Sequence, residues 1–169
     1  DVMDETFRHL RFVGTGPDQP MSAADHKWTS FSMDSMLCWD RRKTDARYDP
    51  ALPNMTDLDF LLKLWEHVPG GYHLGTPLHD YVKIPSSMSN APGFTERMIH
   101  SKRLILSRLA EGRYPMVDER TGESVERFLR VSLEAEAAYP AALAENPDAL
   151  FEDTIEPLLR RHQAGTPSP

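Results

Sequence analysis

The chain has 169 residues, 40% of them hydrophobic and 27% charged, with a net charge of −7 and a pI near 5.5. That is the size and composition of one ordinary globular domain rather than of a disordered or fibrous chain. The acidic balance argues against nucleic-acid binding, which calls for a basic excess to neutralise phosphates, and no apolar run approaches the ~18 residues of a membrane span.

The opening residues include Asp1, Asp4 and Glu5, where the basic region of a secretory leader would stand. The single cysteine, Cys38, can form no intrachain disulfide. Both features lead to the expectation of a cytoplasmic protein. Phe7–Val13, closed by Gly14, reads as a strand. Gly14-Thr15-Gly16 then suggests a turn: the third glycine of a dinucleotide fingerprint would fall on Gln19, and Pro17 blocks the usual continuation, so no cofactor is expected. Trp28–Trp39 fits both periods, with Phe31, Met33, Leu37 and Trp39 alternating and Trp28, Phe31, Met36 and Trp39 near helical spacing. The strand is preferred. Within it Cys38, between Leu37 and Trp39, reads as a small buried residue rather than a reactive thiolate.

Prolines 17, 20, 50, 53, 69, 77, 85 and 92 forbid long continuous helices in the first half. The stretches 14–27, 40–55 and 85–94 accordingly read as irregular. One helix does fit there. Leu58, Leu61, Leu62, Trp65 and Val68 share a helical face over Thr56–Val68, with Thr56 as cap and Pro69-Gly70-Gly71 as stop.

Tyr72–Ile84 turns at Gly75-Thr76-Pro77 and suggests an irregular hairpin. In its second arm His79, Tyr81 and Lys83 would share one face, with His73 opposite. They would supply a base, a proton donor and an anion anchor for a small polar substrate. The same residues also fit a plain solvent-facing strand. His73, His79 and Asp80, with Asp25-His26 elsewhere, contain metal-ligand types but not the spacing of a known metal motif, so no metal is expected. Ser86–Asn90 lacks the glycine context of a catalytic serine.

From Gly93 onward the pattern is helical. Thr95–Glu111 carries Met98, Ile99, Ile105, Leu106 and Leu109 on one stripe, with Gly112 as a left-handed cap and a basic excess that suggests a solvated positive face. Glu123–Ala138 buries Val125, Phe128, Leu129 and Leu133 and stops before Pro140. A last helix starts at Asn146 as cap, with Pro147 in its first turn and a kink near Glu156 imposed by Pro157.

The predicted fold is α+β in a single domain: an irregular proline-rich part with a few short strands (1–92), packed on a bundle of about four helices (93–163), then a tail (164–169). Between Asp40 and Asn54 only Tyr48 and Leu52 are large and apolar, so that stretch gains little within its own domain; a neighbouring chain is the simplest agent to order it, with internal hydrogen bonds and crystal packing as rivals. Met21, Met33, Met36, Met55 and Met88 add adaptable side chains to the same half. The expected function is therefore an accessory or structural subunit, of the kind found in bacterial enzyme complexes. It would meet a protein partner, or a second copy of itself, over segment 40–92. The alternatives are a small enzyme using the His73/His79/Tyr81/Lys83 hairpin and an acidic immunity-type inhibitor of a basic toxin.

Overall fold

The computed structural model describes residues 1–12, 16–29, 36–84, 93–147 and 149–164 and gives the chain an α+β architecture. In chain order the elements are β1 (Val2–Met3), β2 (His9–Arg11), β3 (Gln19–Ser22), α1 (Ala23–Thr29), α2 (Thr56–Leu64), β4 (Gly70–His73), β5 (Tyr81–Val82), α3 (Phe94–Ala110), α4 (Arg120–Glu145) and α5 (Phe151–Ala164). The strands form two small sheets, one ordered β2-β1-β5 and one pairing β3 with β4. No helix among the described residues is long and apolar enough to cross a membrane.

The core is helical, and α2 lies within it. Leu58, Phe60, Leu61, Leu62 and Leu64 are all buried, so this helix shows almost no polar face to water. It shares one hydrophobic cluster with Ile105 of α3, Phe128 and Leu129 of α4, Ile155 and Leu158 of α5, and Ala23 of α1. The predicted start at Thr56 holds, but the cap position falls on Met55, whose φ of 56° is left-handed. The helix ends at Leu64, well before Pro69. Gly70 and Gly71 belong instead to β4, paired with β3.

One expected loop contains regular structure. In 14–27 the chain forms β3 and then α1, whose first turn is closed reciprocally. The Ser22 hydroxyl donates to Asp25 Oδ2 at 2.6 Å, and the Asp25 amide donates back to Ser22 Oγ at 3.2 Å. Ser22-Ala23-Ala24-Asp25 thus supplies half of a capping box: Ser22 caps the Asp25 amide, while the Asp25 carboxylate accepts from the Ser22 hydroxyl rather than from its backbone amide. Trp28 consequently ends a helix rather than opening a strand. Residues 30–35 of the expected Trp28–Trp39 strand lie outside the described residues, and 36–39 carry no strand. The expected strand Phe7–Val13 shrinks to β2, because Phe7 sits at φ 61° in a turn. The Asp4 carboxylate holds that turn, accepting from the Thr6 and Arg8 amides and the Thr6 hydroxyl. Of the Gly14-Thr15-Gly16 turn only Gly16 is among the described residues, and Val13 and Ser86–Asn90 are outside them.

Segment 40–54 is anchored from within the chain, by the internal bonds that stand as the rival to a neighbouring chain. Leu52 enters the core, Arg108 NH2 donates to Asp49 Oδ2 at 2.6 Å, and Lys63 Nζ donates to the Arg47 carbonyl at 3.0 Å. Two apolar residues were too narrow a count, since the polar anchors come from α2 and α3.

In the helical half α3 matches its predicted span within a residue, and Gly112 is left-handed as expected, at φ 67°. The expected positive face does not form. Lys102 is buried against Glu136, and Arg108 turns inward to Asp49 and Asp59. The fourth helix runs through Pro140 to Glu145 rather than stopping at Ala138. Proline there costs one donor, to the Glu136 carbonyl. Tyr139 meets Phe151 edge-on at 5.5 Å and donates its hydroxyl to the Ala149 carbonyl at 2.9 Å. Asn146 therefore closes α4 instead of opening α5, its amide donating to the Ala142 carbonyl. The last helix begins at Phe151, with Asp153 accepting from the Leu150 amide, and it continues through Pro157.

Backbone crosses backbone at Gly70 of β4 and at Gly75 just beyond that strand. A Cβ on Gly70 would lie 2.3 Å from the Met21 carbonyl oxygen, and one on Gly75 would lie 2.2 Å from that of Gly16.

Candidate functional site

The His/Tyr/Lys hairpin is not formed. Its first arm is β4, which pairs with β3, and its second arm contains β5, which runs parallel to β1 in the other sheet. His73 Nδ1 lies 3.1 Å from the Pro17 carbonyl; a carbonyl only accepts, so Nδ1 carries the proton. His79 is exposed, and its carbonyl accepts from the Asp1 nitrogen at 2.6 Å. Tyr81 is half-buried in β5. Lys83 Nζ lies 3.2 Å from both Glu152 oxygens, so its charge is already matched inside the chain. His73 and Tyr81 thus belong to different sheets, and His79 and Lys83 lie outside both. Cys38 is exposed rather than buried. His26, considered above as a ligand type, is buried edge-on to Trp65 at 5.3 Å. Among the described residues no three His, Cys, Asp or Glu side chains form a group that could hold a metal ion.

Two surface concavities compare as candidates. The larger, about 330 Å³, lies along α4 against His162 of α5 and is lined by Glu123, Glu126, Arg127, Arg130, Val131 and Glu134. It mixes both signs of charge and satisfies much of it internally, with Arg130 on Glu126 at 2.6 Å and His162 near Glu134 at 3.9 Å. The smaller, about 210 Å³, is formed by Trp39, Arg41, Thr44, Ala46, Arg47 and Tyr48 over Phe60. Its composition points to recognition.

The floor of this cleft is Phe60, fixed on α2 with only 3% of its surface exposed. Trp39 meets the ring edge-on at 4.9 Å, and Tyr48 stacks on it at 5.0 Å. Both walls are wet, at 41% and 53% exposure. Burial and the adjacent Asp57 carboxylate raise the Tyr48 pKa, so its hydroxyl stays neutral near pH 7. The lining holds two cations and no carboxylate. Arg47 NH1 donates to the Asp45 and Ala46 carbonyls, which fixes its direction. Arg41 has no hydrogen-bond or ion-pair partner among the described residues. The next arginine, Arg42, is matched by a two-pronged pair with Asp40, at 2.9 and 2.8 Å, and that pair lowers the Asp40 pKa.

A buried polar network supports the cleft from below. Asp59, fully buried next to Phe60, accepts from Tyr114 OH at 2.6 Å and Arg108 NH1 at 3.0 Å on one oxygen, and from Lys63 Nζ at 2.5 Å on the other. Through Lys63 to the Arg47 carbonyl, and through Arg108 to Asp49, the same network holds both sides of Tyr48. The Ala51 amide and then Arg108 lower the Asp49 pKa, keeping it charged for this role. The loop that carries Trp39 and Tyr48 is therefore bonded to α2 and α3 before any ligand arrives.

Comparison with protein-family models, with characterised proteins and with solved structures gives no match. Sequence inspection missed the cleft because its five principal residues fall in three separate stretches, none with a motif. Trp39 and Tyr48 flanking Arg41 and Arg47 in an otherwise proline-broken segment was the one signal present.

Proposed function

We propose that this chain is an accessory or structural subunit that packs against a partner chain, and that the cleft over Phe60 is where the partner docks. One observation carries the proposal: exposed Trp39 and Tyr48, seated on buried Phe60 and flanked by Arg41 and Arg47. Tryptophan, tyrosine and arginine are the residues that most often dominate binding energy at protein interfaces. A tryptophan left about two-fifths exposed gives up apolar burial that a partner would supply, at roughly 25 cal/mol per Å². The supporting network adds preorganisation, which lowers the entropy lost on binding. Apart from Trp39, the lining of the cleft lies in segment 40–92, where the sequence leads to the expectation of a partner. Residues 40–54 are held by bonds within the chain, and the surface chemistry of the cleft supports the proposal.

Site-specific crosslinking tests the proposal. A photoreactive benzoylphenylalanine replacing Tyr48, in the cells that make the protein, should yield a discrete adduct of defined mass. The adduct should disappear when Trp39 is also changed to alanine. The same probe replacing Arg103, exposed on α3, serves as control. No adduct at position 48, or the same adducts from both positions, would remove this cleft as the docking point.

A further inference from the structure

Resting on that proposal, we infer that the partner presents an extended acidic segment: an aromatic or long aliphatic side chain seated on Phe60 between Trp39 and Tyr48, with carboxylates paired to Arg41 and Arg47. Charge complementarity leads to this class. A chain of net charge −7 lines its aromatic cleft with two arginines and no acid, the Asp57 carboxylate standing beside the Tyr48 wall. Arg41 has no internal carboxylate, whereas Arg42 beside it does, so the two neighbours are distinguished by pairing rather than by exposure. Arg47 uses NH1 on two carbonyls and keeps Nε and NH2 for an incoming carboxylate. A volume of about 210 Å³ suits one large side chain rather than a folded surface element. Stacked aromatics beside arginine also occur where single-stranded nucleic acid binds. Two cations on an acidic protein, however, form no track for successive phosphates, so a peptide is favoured.

The probe is a random dodecapeptide display library selected on the full chain. Enriched peptides should place Asp or Glu within three residues of an aromatic or long aliphatic residue. For the best peptide, exchange of its acids for amides should weaken binding at least tenfold, and affinity should fall as salt rises. Arg41→Gln should cost about fivefold and Arg47→Glu more. Because Arg47 also ties its own loop, Arg41→Gln is the decisive variant. Enrichment of apolar peptides without acids that still require Trp39 would overturn the inference and leave the docking proposal standing. So would a dimer seen by light scattering that Trp39→Ala dissociates, which would make the occupant a second copy. Tighter binding of a thymidine dodecanucleotide than of any peptide at this cleft would overturn the inference in favour of nucleic acid. No enrichment, or enrichment indifferent to Trp39→Ala and Tyr48→Ala together, would overturn both.

Discussion

Replacing Glu136 by glutamine removes one negative charge from beside Lys102, and the size of the loss follows from the burial of the pair. The two side chains are 6% and 2% exposed, with Lys102 Nζ donating to Glu136 Oε1 at 2.5 Å and lying 5.1 Å above the Phe151 ring. Burial lowers the Lys102 pKa, Glu136 opposes that shift, and Lys27 adds to it. Breaking a buried pair from one side costs about 3–5 kcal/mol. An upper bound comes from the lysine itself, which can escape by deprotonating. From a pKa of about 10.4 to neutral pH this costs about 4.6 kcal/mol, at 1.36 kcal/mol per unit. Glutamine keeps a carbonyl acceptor, so about 3 kcal/mol is expected, a fall in Tm of roughly 6–12 °C for a domain of this size. Urea unfolding at pH 7 measures it, with Glu134→Gln on the exposed side of the same helix as control. The deficit should shrink with pH. The folded-state pKa of Lys102 lies below its unfolded value, so between the two the unfolded chain binds more protons and stability rises with pH. Changing Lys102 and Glu136 both to methionine should recover at least half of the loss. A cost no greater than that of Glu134→Gln, or a deficit unchanged at pH 9.5, would refute the description of this pair as a buried charge.

Tyr114→Phe deletes the hydroxyl that donates to Asp59 at 2.6 Å while leaving Arg108 and Lys63 in place. Denaturant titration should show a loss of about 1.5–3 kcal/mol, and a loss below about 0.5 would mean the network does not depend on it. Phe7 is 71% exposed at a left-handed φ of 61°, so Phe7→Gly should stabilise by about 0.5–1 kcal/mol in calorimetry unless the ring has a packing role. The Thr6 hydroxyl and then the Arg8 amide hold the Asp4 pKa at about 2. Its contribution is therefore intact above about pH 4 and fades as pH falls toward 2. Asp4→Asn should flatten the acid limb of the stability profile, and a carboxyl titrating near 4 by NMR would contradict the turn geometry.

Helices were legible where spacing alone decides them. The leucines of α2 and the span of α3 with Gly112 needed nothing but a 3.6-residue period and a left-handed cap. Errors arose where tertiary partners override a local rule. Pro140 reads as a stop until Tyr139 is seen bonded to Ala149, and Asn146-Pro147 reads as a start until α4 is followed to its end. Lys102 and Arg108 look like a solvated face in sequence because their carboxylates, Glu136 on α4 and Asp49 and Asp59 before and within α2, are remote along the chain. The hairpin failed for a related reason: glycine and proline signal a turn but do not choose the strand that follows as partner. Nothing in the local sequence distinguishes Asp59, one of two acids in the first turn of α2, as the buried hub beneath the cleft.

The backbone crossings at Gly70 and Gly75 bear on how relatives of this chain would be recognised. Side chains along β3 and β4 that stay exposed or half-buried are free to drift in evolution without disturbing the pairing of Gln19–Ser22 with Gly70–His73. The two glycines have no such latitude, since any Cβ would meet a carbonyl oxygen of the facing strand or loop at little over 2 Å. Backbone cannot give way as a flexible side chain does. A homologue that has lost all overall resemblance but keeps this sheet should still carry glycine at both places. A residue larger than glycine at either would mark a lineage in which the sheet has been rebuilt.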